Sequence, residues 1–320
     1  MTRLNLKDIR AAHQRIGPYI NTTPVLICTS LNHMAGAPLF FKCENFQKTG
    51  AFKFRGACNA VFLLSDEEAS RGVVTHSSGN FAAALALAAS KRGTSARIVM
   101  PSNAPEVKVA AVKGYGGIIT FCEPTLKSRE TTAQKVIEET GATFIHPYND
   151  FRIIAGQGTA ALELMEEIPD LDFIVAPVGG GGLLSGTAIA AKGLNPKIKV
   201  IGCEPKNADD AYRSMKAGRI IPSENPNTIA DGLKTSLGDK TFPIIRGLVD
   251  EILLATEEEI ISAMRHTFER MKIVAEPSAA VPLAVLLSGQ LNVADRNVGV
   301  VISGGNVDLG TLFEYTPPTP

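Results

Sequence analysis

The sequence predicts an α/β protein in which two strand–helix series follow one another along the chain. Three observations carry that prediction. Between residues 73 and 146, short apolar runs alternate with longer helical patterns at the spacing of parallel βαβ units. A second series of the same kind begins at residue 173 and ends in a late strand at 298–302. Glycine-rich or polar turns follow several of these strands, at the carboxyl ends where open α/β sheets place ligands.

The elements can be justified in order. Asn5 is placed to cap a helix through Ile9, Ala12 and Ile16 that stops near Gly17-Pro18. Leu39–Cys43 reads as a short buried strand, and Ala57–Leu64 as a helix. The first regular series is strand Val73–His76, alanine-rich helix Asn80–Ser90, strand Ala96–Met100, helix Glu106–Lys113, strand Ile118–Phe121, helix Leu126–Thr140 and strand Thr143–His146. These spacings predict a small parallel sheet. The second series has strand Phe173–Val178, helix Leu183–Lys192 and strand Lys199–Cys203. Thr256 and Glu259 form a capping box for a helix reaching about Lys272, and Val298–Ile302 is the last strand. No solenoid repeat appears, and the low-complexity sequence is confined to the tail Thr316–Pro320.

Composition narrows the function classes. The 320 residues are 45% hydrophobic and 20% charged, with a formal net charge of zero. That length supports one large or two medium domains. Zero net charge gives no electrostatic pull toward nucleic acid or an anionic membrane. No apolar run approaches the roughly 18 residues that span a bilayer, and Met1–Lys7 has no signal-peptide core. The five cysteines and five histidines are scattered without CxxC or His-cluster spacing. The expectation is a reduced, cytoplasmic protein without a zinc scaffold.

The stretch Thr49-Gly50-Ala51-Phe52-Lys53-Phe54-Arg55-Gly56-Ala57 sets one lysine between two aromatic residues, with a glycine three residues to either side. Aromatic cover excludes water, lowers the amine's pKa and makes it a nucleophile suited to a Schiff base. Read alone, Lys53 also fits a lysine snorkelling from a helix start. Gly179, Gly180, Gly181 and Gly182 follow a strand and open a helix, so backbone N–H groups and the helix terminus favour a phosphate. No frame there gives G-x-G-x-x-G, so a phosphate monoester fits better than a pyrophosphate; a tight strand–helix turn without ligand would use the same residues. His76-Ser77-Ser78-Gly79-Asn80 has the same topology and offers hydroxyls and N–H groups to a carboxylate, or simply an N-cap. Ser303-Gly304-Gly305-Asn306 is a third polar strand end.

These parts together suit pyridoxal phosphate and an amino acid. Over essentially its whole length the chain resembles the serine racemase and serine/threonine dehydratase group of fold-type II pyridoxal-phosphate enzymes. The motifs that carry the resemblance are Phe46–Ala57, Ser77–Asn80, Ile154-Ala155-Gly156-Gln157-Gly158-Thr159, Gly179–Gly182 and Ser303–Leu309. The resemblance implies a fold like that of tryptophan synthase β: two open, twisted, mostly parallel sheets flanked by helices. Residues 1–70 and 150–320 would form a large cofactor domain, and 71–149 a small gating domain. It implies that Lys53 carries the cofactor, Gly179–Gly182 hold its phosphate, Asn80 bonds the ring hydroxyl and Ser303 the ring nitrogen, with Phe52 and Glu276 beside them. A serine does not keep the ring nitrogen protonated, which suits elimination better than transamination.

Substrate contacts implied in the same way are Ser77, Ser78, Gly79, Asn80, Phe81, Arg129 and Ser236. Ser78 would act as a second base, on the face opposite Lys53. Glu204, Ala208 and Asp210, in the run Glu204–Asp210, would bind a divalent cation, Mg²⁺ or else Ca²⁺ or Mn²⁺. Two departures stand out. Phe81 replaces the usual His, and Ala83 stands where animal racemases have a glutamine of their nucleotide effector site, which counts against ATP regulation. Arg129 matches the racemase and hydroxyaspartate dehydratase branch and would pair with a β-carboxylate. The expected activity is β-elimination of water from threo-3-hydroxyaspartate or L-serine with some racemisation, in a homodimer. Threonine dehydratase and a β-replacement synthase of the cysteine synthase type are the alternatives.

Overall fold

The computed structural model describes residues 4–308. Residues 1–3, Leu309 of the last motif and the tail at 316–320 lie outside the described residues. The strands are β1 (Val25–Leu26), β2 (Leu39–Cys43), β3 (Val73–His76), β4 (Ala96–Pro101), β5 (Ile118–Cys122), β6 (Thr143–Phe144), β7 (Phe173–Pro177), β8 (Lys199–Pro205), β9 (Glu251–Ala255) and β10 (Val298–Ile302).

They form two sheets, as expected of a fold-type II enzyme. One has six strands in the order β1-β2-β10-β7-β8-β9, and the other four in the order β5-β4-β3-β6. Every pairing is parallel except β1 with β2. The central strand β10 is buried at every residue, because helices cover both faces of a parallel sheet. Register aligns the strand ends. Ile302 pairs with Cys43 and Pro177 with Cys203, so the segments after β2, β10, β7 and β8 emerge along one edge.

Local chemistry explains most boundaries. Asn5 and Asp8 form a capping box on the helix Leu6–Ile16. Thr256 and Glu259 do the same for Glu257–His266, whose end widens into a π-type turn at Thr267–Met271 before Lys272 closes it at φ 60°. The helix Leu126–Thr140 has the limits that its sequence predicts. The helix expected at Ala57–Leu64 instead spans Lys53–Phe62. Gly56 does not break it, because a Cβ there would meet the Gln157 side chain at 2.5 Å and the glycine is needed for that approach. The helix Phe151–Glu167, the strand β9 and the helix Pro277–Leu287 are additions to the elements read from sequence.

Apolar side chains pack in four groups around the two sheets. Phe54, Ala57, Cys58 and Val61 join Phe81, Leu85 and Ile98 over the four-stranded sheet. The lysine-bearing helix Lys53–Phe62 thus packs on the small sheet's helix Asn80–Arg92 and on Phe151–Glu167 at once. Among the described residues no helix is long and apolar enough to cross a membrane.

Candidate active site

Lys53 is the first residue of its helix. The side chain as a whole is half-buried, but its amine is surrounded by protein and lies 4.9 Å from the centroid of the buried Phe52 ring. Burial draws its pKa down to about 8, against a smaller upward pull from Glu276. Glu276 is itself buried, which pushes its carboxyl up to about 7, while a hydrogen bond from Asn80 pulls it back.

The turn after β10 is stitched to the lysine loop. The Phe52 N–H donates to the Ser303 carbonyl at 3.0 Å, the Gly305 N–H to the Gly50 carbonyl at 2.9 Å, and the Glu276 N–H to the Gly304 carbonyl at 3.0 Å. Asn306 Nδ2 donates to the Thr49 carbonyl and to Asn80 Oδ1, and Asn80 Nδ2 donates to both Glu276 oxygens at 3.0 Å. The bond from Asn306 fixes the Asn80 amide with its NH₂ turned to Glu276. Ser303 is buried at the start of this turn.

The glycine turn lies between β7 and the helix Gly182–Leu194. Gly181 has φ +86°, which an L side chain rarely adopts, and a Cβ there would meet Ile245, Leu237 and Thr241. The face of the Tyr148 ring packs on Gly180, so a Cβ at that position would enter the ring. Among the described residues the N–H groups of Gly179, Gly180, Gly181 and Gly182 meet no acceptor. Free donors on a side-chain-free turn at a helix N-terminus fit a phosphate.

On the small sheet, Ser77, Ser78 and Gly79 form the turn from β3 to the helix that Asn80 opens, all half-exposed, with open space where a Gly79 Cβ would stand. Phe81 points into the apolar cluster, so only its backbone is available to the turn. Arg129 sits in the first turn of Leu126–Thr140, and its buried Nε has no hydrogen-bond partner among the described residues. It acts on His76, whose pKa is lowered first by burial and then by Arg129. His146, whose Nδ1 accepts from the Tyr148 and Asn149 N–H groups, is pushed down to about 4, mainly by burial. The Ser236 hydroxyl accepts from the Ser223 N–H at 2.8 Å, and the preceding residue, Thr235, lies against Gly179.

Glu204 and Asp210 are wholly buried. The Glu204 oxygens accept from the Ala211 and Tyr212 N–H groups at 2.9 Å. Burial, and then Asp210, push Glu204 up to about 9. Burial pushes Asp210 up to about 6, and neither of its oxygens meets a donor in hydrogen-bonding geometry, although the Ser223 hydroxyl lies near enough to temper the rise. A buried Asp210 carboxyl without donors, beside the buried Glu204 and two residues after Ala208, fits a hard cation. Among the described residues no group of three or more His, Cys, Asp or Glu side chains is placed to hold a metal ion, so the backbone would have to complete this site.

Sequence reading missed Tyr148 and a buried charge network under the lysine helix. Arg55 donates to Glu44 and Glu163, and Lys42 reaches Glu163 at 2.7 Å. The available signal was Lys42 inside an apolar strand, a position that lysine occupies only when paired.

A basic lysine amine, a free-donor glycine turn and a polar strand end, on two parallel sheets, define a pyridoxal-phosphate enzyme of fold type II. The chain belongs to the pyridoxal-phosphate dependent enzyme family, whose model matches residues 16–304. It is 55% identical to a serine racemase of Arabidopsis thaliana over 97% of this chain and 95% of that one. It is 53% identical to a β-hydroxyaspartate dehydratase of Paracoccus denitrificans, covering 96% and 97% of the two chains. The crystal structure of a serine racemase from Dictyostelium discoideum matches with a TM-score of 0.92 at 53% identity, over 95% of this chain and 99% of that one.

Proposed function

We propose that the protein is a dehydratase of small β-hydroxy amino acids, acting on threo-3-hydroxyaspartate and L-serine and interconverting the serine enantiomers to some extent. The observation that carries this reading is a lysine amine drawn down to about 8 by burial and neighboured by Glu276, which Asn80 of the turn Ser77–Asn80 bonds, with Arg129, its buried Nε partnerless among the described residues, acting on His76 next to that turn. Relatives named serine racemase and β-hydroxyaspartate dehydratase support the reaction class.

The residues divide the work as follows. Pyridoxal phosphate, held by Lys53, Asn80, Ser303 and Gly179–Gly182 with Phe52 and Glu276 around it, supplies the electron sink that acidifies the substrate Cα–H. The Ser77–Asn80 turn holds the α-carboxylate. Lys53, neutral in a substantial fraction near its pKa, takes the Cα proton from one face. The Cβ–O bond then breaks with its electron pair leaving on oxygen, which takes the proton that Lys53 removed and departs as water; the released enamine tautomerises to an imine, which takes up one water and gives a keto acid and ammonia. Ser78 stands at a helix start, on the face opposite Lys53, to exchange a proton there. Arg129 pairs with a β-carboxylate, favouring hydroxyaspartate over threonine. Glu204, Asp210 and the Ala208 carbonyl hold Mg²⁺, or else Ca²⁺ or Mn²⁺. Residues 71–149 act as the small gating unit against 1–70 and 150–320, in a homodimer of cytoplasmic location, and Ala83 counts against an ATP effector.

The test is keto acid release by the purified holoenzyme from L-serine, threo-3-hydroxyaspartate and L-threonine, each with and without an added thiol. Oxaloacetate and pyruvate without thiol are expected. Turnover that requires the thiol would instead make it a β-replacement synthase, and threonine as the best substrate would overturn the role of Arg129.

A further inference from the structure

We propose that Thr241 is a positioning residue for the cofactor phosphate, its hydroxyl setting the Gly180–Gly181 peptide so that the Gly181 N–H faces the anion. The inference rests on the family's cofactor and is independent of the choice of substrate. Thr241 begins the helix Thr241–Leu248 and is wholly buried. Its Oγ1 accepts from the Gly238 N–H at 2.8 Å and donates to the Gly180 carbonyl at 2.9 Å. The Gly238 carbonyl lies further off, at 3.3 Å, and a hydroxyl has one proton to give, so the Gly180 carbonyl is the preferred acceptor.

In a trans peptide the carbonyl and the following N–H point in opposite directions, and no described peptide bond is cis. A Gly180 carbonyl held against Thr241 therefore turns the Gly181 N–H away from Thr241. The Cα substituent direction of Gly181 is also taken up on that side, by Ile245, Leu237 and Thr241. The N–H is left on the open side of the turn, where it joins the other acceptor-free N–H groups of Gly179–Gly182. Without the hydroxyl, the φ +86° glycine can rotate its peptide at little steric cost, and the donor loses its aim.

The experiment compares cofactor affinity with and without the phosphate. Apo forms of the parent, Thr241→Val and Thr241→Ser are titrated with pyridoxal phosphate and with pyridoxal, and binding is read from the absorbance of the bound cofactor. Thr241→Val is expected to weaken pyridoxal phosphate about tenfold, the loss of one hydrogen bond to a charged group, and to leave pyridoxal unchanged. Thr241→Ser is expected to restore the parent affinity. A role in packing alone would move both ligands together, so equal losses for the two, or no loss for pyridoxal phosphate, would overturn the inference. If Thr241→Val fails to fold, Thr241→Ala, which sets no methyl group against the Gly180 carbonyl, is titrated in the same way with the same two readings. A parent that binds neither ligand would instead count against the assignment of the cofactor itself.

Discussion

At the scale of single residues, the site depends on how two side chains are charged and where they stand. Lys53 titrates near 8 because burial outweighs the pull of Glu276. Only the neutral amine attacks the cofactor aldehyde, and the neutral fraction grows as pH rises toward that value. Capture of pyridoxal phosphate by the apo protein should therefore accelerate with pH and level off above about 8. A stopped-flow rate that keeps rising beyond pH 9, as for an ordinary lysine, would show that the amine is not desolvated. Ser78 sits in the half-exposed turn before Asn80, at a helix start that favours a developing alkoxide. Ser78→Ala should abolish interconversion of L- and D-serine in chiral chromatography, while elimination from L-serine continues through Lys53. Undiminished D-serine formation by the variant would remove the two-base scheme. For Arg129→Ala, kcat/KM on threo-3-hydroxyaspartate should fall roughly 10- to 100-fold, with a smaller loss on serine, because a charge-assisted bond is missing from one substrate only. Equal losses would mean that Arg129 does not read the β-carboxylate.

At the scale of elements, glycines decide both what the sequence reveals and what it hides. The parallel strands were legible because β7 and β10 are short apolar runs bounded by turn residues. The helix Phe151–Glu167 was not, because Gly156 and Gly158 look like interruptions. In the fold they are contact points: a Cβ on Gly156 would meet the Gly56 Cα at 2.6 Å, and one on Gly158 the Gly186 carbonyl at 2.7 Å. Lys53–Phe62, Phe151–Glu167 and Gly182–Leu194 therefore pack backbone to backbone. Pro282 hid Pro277–Leu287 in the same way. The glycine turn was read correctly as a turn, but Tyr148 was invisible in it, since nothing local pairs residue 148 with residue 180. The ring makes a specific prediction. Gly180→Ala should destabilise the protein by about 2 kcal/mol, the usual cost of overpacking. The same change in a Tyr148→Ala background should cost under about 0.5 kcal/mol, because the obstructing ring is gone. Denaturant melts of the four proteins measure this coupling, and additive effects would show that the ring does not constrain Gly180.

At the scale of the whole molecule, two buried charge systems flank the lysine and glycine turns, and they differ in how their charges are balanced. Lys42, Arg55, Glu44 and Glu163 neutralise one another, and Arg55 keeps Glu163 below the usual carboxylate range despite burial. Sequence could not show this balance, because the four residues come from β2, the turn after it and two helices that meet only in the fold. Glu204 and Asp210 are less well balanced: Arg213 pulls Asp210 down, but burial outweighs it and pushes both carboxyls upward in pKa, and Asp210 raises Glu204 further. A divalent ion would supply the missing charge and bind the folded state alone, since the unfolded chain does not hold Glu204, Ala208 and Asp210 together. At a hundredfold excess over its Kd, such an ion adds about 2.7 kcal/mol to stability, which is a shift in Tm of about 4 °C for a chain of this length. Thorough chelation should therefore lower Tm by that order, and Mg²⁺ should restore it. Glu204→Gln should show the reduced Tm response with or without the ion, which separates loss of the site from a general effect of the chelator. An unchanged Tm in the parent after chelation would leave Glu204 and Asp210 as a protonated buried pair and not a cation site.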